Sequence, residues 1–494
     1  VTTADFRAFD NQREQLLAAG VRIFGPNASV AQDLEPEYIA VSPDSRTAYV
    51  TLQENNALAV VDIPSGRVAR ILPLGFKDHS RPGQGLDFND RDNRASILPA
   101  KVFGMYQPDA IAYIPFGSGG FLVTANEGDA RVYPGFDEEA RVADLQLDPS
   151  QFTPEERAAL ARLQVTRQMG QGPNGHRALY AYGARSISVW SPEGRLVWDS
   201  GDLIERAVLG RNPDFFNANN TNNTRDARSA AKGPEPEGLA VGKIGGRTYA
   251  FVGLERQSAL LSFDVTIPRA PVLRDYAINR NFAQAINANN YQDNGDLGPE
   301  GLLFVPAADS PNGQPLLIVS NEVSGSTAFW QVAEGGRLVL LGRYVFTENG
   351  RPVFNRGAAE IPAYDPRSRR IFVVNGNTQG LDILDASNPA QPRLIRSVSY
   401  RERGGPTSVA VRDELVAVAL EGPVKTGPGS VIFTDIDGAV RASVPVGALP
   451  DMLTFTPDGR FVLTANEGEP SDDYRTDPEG SISIIELARV PGLR

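Results

Sequence analysis

The sequence predicts an all-β fold: a seven-bladed β-propeller of four-stranded antiparallel blades, built as one domain over residues 1–494. Three observations lead there. One short unit recurs seven times along the chain. Each unit carries apolar residues at period 2, rich in β-branched types and broken by turns, which is strand patterning. No helical pattern alternates with the strands, so TIM-barrel and doubly wound folds fail. A chain of 494 residues is also too long for most single-core domains unless the fold is a closed repeat.

The units open with EPEYIAV at Glu35, QPDAIAY at Gln107, EPEGLAV at Glu235, GPEGLLF at Gly298, AAEIPAY at Ala358, GPTSVAV at Gly405 and LPDMLTF at Leu449. Second strands follow, ending in YVTLQEN, LVTANEG, FVGLER, LIVSNEV, FVVNGN, VAVALEG and VLTANEG. Third strands are ALAVVDI, SISVWSP, ALLSFDV, TAFWQV, LDILDA, SVIFTDI and SISIIEL. A fourth run usually comes next, such as RLVWDSGD or RLVLLGRY. Seven such units stack in a ring because no blade can bury both faces alone.

The last unit stops near Leu487 without a fourth strand, and VTTADFRAF or GVRIFG at the other end of the chain is expected to supply it. The first unit carries an insertion over about 74–106, and the second carries two, over about 132–179 and 203–233. Within the former of these two, TPEERAALARL has a capping-box start and helical spacing. FFNANNTNNTRDARS reads as an irregular polar loop.

Propeller register places the start of the first strand and the end of the second at one face, because the two form an antiparallel hairpin. The residue after the opening Pro or Ala is Glu37, Asp109, Glu237, Glu300, Glu360, Thr407 or Asp451. The second-strand tip is Glu54, Glu127, Glu255, Glu322, Gly376, Glu421 or Glu467. One acidic ring is what turns bonding backbone N–H groups would leave. Two rings in register are costly, because carboxylates within about 4–6 Å repel and raise one another's pKa. Bound cations resolve that cost. Calcium suits best, taking six to eight oxygen ligands, although another divalent metal is open. Asn126, Asn321 and Asn466, one residue before their Glu, are expected to add amide oxygens.

Positive residues are interleaved at the same face. Arg131, Arg256 and Lys232 are expected to steady a phosphate or carboxylate, with Arg185 and Lys77 reaching inward. For each, the structural alternative is an ion pair with a ring carboxylate. The insertion acids Asp87, Asp90 and Asp92 alternate as calcium-loop ligands do, but FNDRDN lacks the EF-hand Gly and Glu. A net charge of −12 argues against nucleic acid and anionic membrane as partners. Zero cysteines and two histidines, His79 and His176, argue against zinc, copper and thiol chemistry. No nucleophile elbow, dinucleotide fingerprint or phosphate-binding P-loop occurs. No apolar run approaches the roughly 20 residues that span a bilayer. No signal peptide is visible, and Val1 reads as a mature or trimmed start, which leaves the compartment open.

GVRIFGPNASVAQDLEPEYIAVSPDSRTAYVTLQENNALAVVDI, LPLGFKDHS, GMYQPDAIA, TANEGDAR, YGARSISVW, KGPEPEGLAVG, AFVGLER, GPEGLLF, SNEVSG, LPDMLTFTPDG and TANEGEPSDDY resemble the choice-of-anchor I family over nearly the whole chain. That family is also described as mesenchyme-specific cell-surface glycoprotein-like. The resemblance implies an extracytoplasmic β-propeller, secreted, periplasmic or surface-bound. It also implies an acidic mouth similar in kind to calcium-dependent propeller phosphatases and phytases, acting on a phosphate ester or other small anion. The alternative is a non-catalytic, calcium-stabilised protein that binds a cell-surface or envelope partner. One departure stands out. In the family the AAEIPAYDP blade comes first and TDPEGSISIIEL runs on into VTTADFRAF, so this sequence reads as circularly permuted.

Overall fold

The computed structural model describes residues 1–286 and 291–493. Seven four-stranded antiparallel sheets form among them, one for each sequence unit. Blade 1 is Pro36–Val41, Thr47–Leu52, Ala57–Asp62 and Arg67–Pro73. Blade 2 opens on Ala110–Phe116 and Gly119–Asn126, then resumes after a long insertion at Ser186–Trp190 and Leu196–Asp199. The first strands of blades 3 to 7 are Pro236–Ile244, Pro299–Val305, Pro362–Asp365, Pro406–Arg412 and Pro450–Phe455. Each first strand touches those of the blades before and after it, and the seventh returns to the first. The sheets therefore close into a β-propeller.

The ring is closed by Thr2–Asp5, which pairs antiparallel with Ser481–Glu486 and sets Ala4 opposite Ile482. Of the two candidate segments, VTTADFRAF is the closing strand. GVRIFG instead lies as coil against the core of blades 7 and 1, with Val21 and Ile23 buried. Alternation is what makes these sheets stack. In blade 3, Tyr249 and Phe251 face blade 4, where Leu317 and Trp330 meet them, while Ala250 and Val252 face blade 2. Burying each Val, Leu, Ile or Phe in these layers is worth roughly 1.5–3 kcal/mol.

The insertions form a cap. Strands Glu139–Arg141, Gln164–Thr166, Tyr180–Ala181, Phe103–Met105 and Phe76–Asp78 make one five-stranded sheet. Its Tyr180–Ala181 and Phe103–Met105 strands run parallel, so the blade 1 and blade 2 insertions are joined. Phe152, Leu163, Val165 and Leu179 give this cap a core of its own. The helix falls at Pro154–Leu160, and Thr153 and Glu156 form the reciprocal capping box. The Asn-rich stretch is irregular, as expected. The helix Leu203–Arg211 before it carries no clear apolar stripe in sequence. No helix among the described residues is long and apolar enough to cross a membrane.

Both kinds of connection that carry these insertions, fourth strand to next first strand and second strand to third, emerge at one end of the ring. That end is the acidic mouth.

Candidate functional site

In blades 1, 3, 4 and 7 the opening proline aims the ring acid. In blade 1, Pro36 pairs with Leu52 but Ile39 pairs with Val50, so Glu37 and Tyr38 sit on a bulge. The same slip follows Pro236, Pro299 and Pro450. A bulge re-aims the side chain it carries, here toward the ring axis. The residue before the proline is left-handed in four blades: Gln107 (φ 42°), Glu235 (56°), Gly298 (71°) and Leu449 (50°). Such a conformation costs about 1–3 kcal/mol at a non-glycine residue and is held by its surroundings. Glu37, Asp109, Glu237, Glu300, Thr407 and Asp451 thus line one axial cavity of about 430 Å³.

Tip carboxylates approach this ring from above. Three triads form, and within each the ligand oxygens lie within 4.8 Å of one another: Glu37–Asp451–Glu467, Asp109–Glu127–Glu237 and Glu127–Glu235–Glu255. Burial, with neighbouring carboxylates adding to it, pushes Glu37, Asp109, Glu237, Glu300 and Glu467 well above the carboxylate range. Burial likewise takes Glu54 up to about 7, Glu360 to about 8 and Asp451 to about 6. Glu322 is raised as well, by burial first. One oxygen each of Glu37, Glu237 and Glu300 is buried without a hydrogen-bond partner among the described residues. Oxygen-only donors, crowded together and short of partners, fit a hard divalent cation, whose charge would favour their ionised form.

The triads differ in what neutralises them. Lys232 Nζ lies 2.7 Å from Glu127 and 3.8 Å from Glu235. Arg256 Nε lies 2.5 Å from Glu235 and 3.3 Å from Glu255, and Arg228 adds a contact of 2.5 Å to Glu235. Burial alone would raise Glu235, but Lys232, Arg228 and Arg256 outweigh it and hold the carboxyl far below its usual range. The third triad therefore carries its own cations. Among the described residues, no Lys or Arg pairs with Glu37, Asp451, Glu467, Asp109 or Glu237.

Several sequence expectations change in three dimensions. Arg131 is enclosed, with its side chain 1% exposed, and its guanidinium holds Asp33 at 2.8 Å and Glu35 at 3.3 Å. It braces the wall of the mouth and does not face a ligand. Lys77 is buried against Asp199 and two carbonyls, and Arg185 against Glu205, so neither reaches the axis. The asparagines of the two TANEG copies turn into their blades. Asn126 Nδ2 donates to Ser186 and Ser188, and its Oδ1 accepts from Thr124. Asn466 makes the matching bonds with Ser481, Ser483 and Thr464. Asn321 donates to Ser326. A strand places successive side chains on opposite faces, so Asn and the following Glu cannot both aim at one point along a regular strand.

Blades 5 and 6 leave the rings open. Gly376 stands where the other tips carry Glu, and the Thr407 hydroxyl donates to the Pro450 carbonyl. Here a second cavity of about 350 Å³ opens between Glu300, Glu360, Glu421 and Asp451. Glu54 stays outside the triads, its carbonyl accepting from Arg22 at 2.7 Å. Glu235 belongs to a triad although sequence reasoning passed over it. Its signal is the first Glu of EPE, directly before the proline that starts the bulge.

The family model for the choice-of-anchor I domain matches residues 1–268 and 360–491. Gigasin-3a of Magallana gigas is 31% identical over 188 residues, covering 35% of this chain and 65% of that protein. The mesenchyme-specific cell surface glycoprotein of Strongylocentrotus purpuratus is 32% identical over 288 residues, covering 49% of this chain and 36% of that protein. The match thus spans less than two thirds of either relative. Among solved structures, the hydrazine synthase of Kuenenia stuttgartiensis aligns at a TM-score of 0.47 with 15% identity, covering 94% of this chain and 99% of that one. The Cps50 (Swd1) β-propeller domain of Myceliophteria thermophila aligns at 0.45 with 8% identity, covering 91% and 97%. Both scores lie under 0.5, and the fold rests on the chain's own sheets.

Proposed function

This chain belongs to the choice-of-anchor I family, and on that premise we propose that it acts outside the cytoplasm as a calcium-binding β-propeller. Its acidic mouth would use the cation to hold a surface or envelope partner. The observation that supports this reading is the contrast between triads. Glu37–Asp451–Glu467 and the Asp109 and Glu237 side of the second triad lack a protein cation, whereas the third triad has three. A relative named as a cell surface glycoprotein supports the location.

A second reading is metal-dependent hydrolysis of a phosphate ester. It is favoured by Lys232 and Arg256, whose side chains keep 15% and 27% exposure beside the triads and can orient an anion. A divalent cation there would supply Lewis acidity toward a phosphoryl oxygen.

One experiment separates the readings. Calcium is titrated calorimetrically into the purified protein and into Glu37→Gln/Asp451→Asn. Turnover of p-nitrophenyl phosphate and of a diester is then followed with calcium and with chelator. We expect the double variant to bind at least about tenfold more weakly, since ligand charge sets calcium affinity. Binding without turnover supports the first reading. Chelator-abolished turnover that falls in Lys232→Met supports the second. A folded protein that binds no calcium overturns the first reading, and one without chelator-sensitive turnover overturns the second.

A further inference from the structure

A second buried acidic cluster lies in the cap, where the blade 1 insertion meets the segment leading from blade 2 to blade 3. Asp87, Glu205 and Asp226 are 1%, 1% and 3% exposed. Arg185, 3% exposed, is the cation among them. Its Nη1 donates to Glu205 at 2.7 Å and to the Asp87 carbonyl at 2.7 Å, and its Nη2 donates to the Ser229 carbonyl at 2.7 Å. Arg225 sits close by, but its guanidinium is turned to the carbonyls of Pro213 and Asn93. Arg185 thus serves Glu205 and the Asp87 backbone, and neither Asp87 nor Asp226 has an ion pair among the described residues. Isolated buried charge is costly enough that it must be paired or neutralised.

The orphaned oxygens point to how. Ser229 Oγ donates to Asp226 Oδ1 at 2.5 Å and accepts from Asn217 Nδ2 at 3.0 Å. Asp226 and Asn217 therefore flank one hydroxyl, and the backbones at 216–217 and 226–228 are hydrogen-bonded. The remaining oxygens, Asp226 Oδ2 and Asn217 Oδ1, are buried with no hydrogen-bond partner among the described residues. Asn217 is wholly buried. Both residues adopt left-handed backbone, φ 47° and 70°, a conformation that needs support from the surroundings. Asp87, directly before FNDRDN, completes the group, with its carboxylate accepting from the Asn89 and Ser96 amides.

We propose that the cap holds a structural divalent cation of the calcium class between its two insertions, ligated by Asp226, Asn217 and Asp87. A dication would supply the counter-charge that Asp87 and Asp226 do not find in an ion pair, and the donors are all oxygens, as calcium takes. The site is separate from the channel mouth and stands whether or not the mouth binds metal. Its role would be to pin the blade 1 insertion to the Asn-rich stretch that overhangs blade 3.

The rival is a proton. A protonated Asp226 would donate from Oδ2 to Asn217 Oδ1 and satisfy both orphans. Asp226→Asn separates the two, because its amide can make that same donation and cannot replace a charged ligand. Bound calcium per chain is counted by elemental analysis after gel filtration in micromolar calcium. The proteins are the wild type, Asp226→Asn, and Glu37→Gln/Glu237→Gln as the mouth control. We expect Asp226→Asn to lose one calcium equivalent, and the mouth variant to keep that equivalent. An unchanged calcium count in Asp226→Asn overturns the proposal in favour of the proton. Should that variant fail to fold, limited proteolysis of the wild type decides. Calcium is expected to slow cleavage within 85–97 and 217–228 at least several-fold over chelator, and equal cleavage overturns the proposal.

Discussion

Gly238 and Gly301, each directly behind a ring acid, are set by the backbone of the next blade. A Cβ on Gly238 would meet the Glu300 carbonyl oxygen at 2.1 Å, and one on Gly301 would meet that of Glu360 at 2.4 Å. Backbone cannot swing aside as a flexible side chain can, so the blades would have to part. Gly238→Ala is expected to cost about 1–3 kcal/mol, the usual range for overpacking, and to weaken calcium binding at the Asp109–Glu127–Glu237 triad. Thermal unfolding and calorimetry read the two effects. At the same scale, His79 makes a pH prediction. It is buried, and its Nδ1–H donates to the Gln84 carbonyl at 2.6 Å. Burial first, then Lys77, lowers its pKa from 6.5 to about 3. The folded state thus keeps the imidazole neutral while the unfolded chain takes a proton near 6.5. The His79 contribution to stability is complete above about pH 6.5 and is lost as pH falls toward 3, at up to about 1.4 kcal/mol per pH unit. Denaturant unfolding from pH 7 to 4 should show this slope, and His79→Gln should flatten it.

Among the elements, the closing strand has the most at stake. Thr2–Asp5 supplies the fourth strand of blade 7, and Phe6, just after it, is fully buried. Phe6 packs in the cluster that joins blades 7 and 1. Phe6→Ala is expected to cost about 3–5 kcal/mol and to open the ring at this seam. Protease cleavage should then begin within residues 1–35 before any blade is lost, and cleavage starting elsewhere would show that the seam is not the weak point. That some segment from this end of the chain closes the ring was legible in the missing fourth strand of the last unit. Which segment does so was not, because VTTADFRAF and GVRIFG are both short and apolar. The choice came from register: Ala4 alternates inward opposite Ile482, whereas GVRIFG is needed to cover the core beneath it.

For the whole molecule, the cost of the acidic mouth yields a test that needs no substitution. Each calcium site filled at 100 times its Kd adds about 2.7 kcal/mol to stability. A chelator should therefore lower the melting temperature by several degrees, and magnesium should restore less of it than calcium, since magnesium demands a smaller octahedral site. A melting curve indifferent to chelator would remove cations from both mouth and cap.

The sequence by itself determined the repeat, the strand order within each blade, the two acidic positions and their common face. These follow from period-2 alternation and hairpin geometry, which are local and survive translation into space. It also marked the two empty places in the rings, Gly376 and Thr407. Only the tertiary structure decided which carboxylates come within ligand distance of one another. The split between triads depends on which oxygens Lys232, Arg228 and Arg256 reach, and the local pattern puts Lys232 and Arg256 at this face without choosing their partners. Burial settled the rest. Asn126 and Asn466 look like ligands beside their Glu, yet the pleat turns them toward Ser and Thr of the third and second strands. Arg131 looks free in the sequence, yet it is consumed by Asp33 and Glu35, about a hundred residues away along the chain but adjacent in the ring, because a buried guanidinium must be paired.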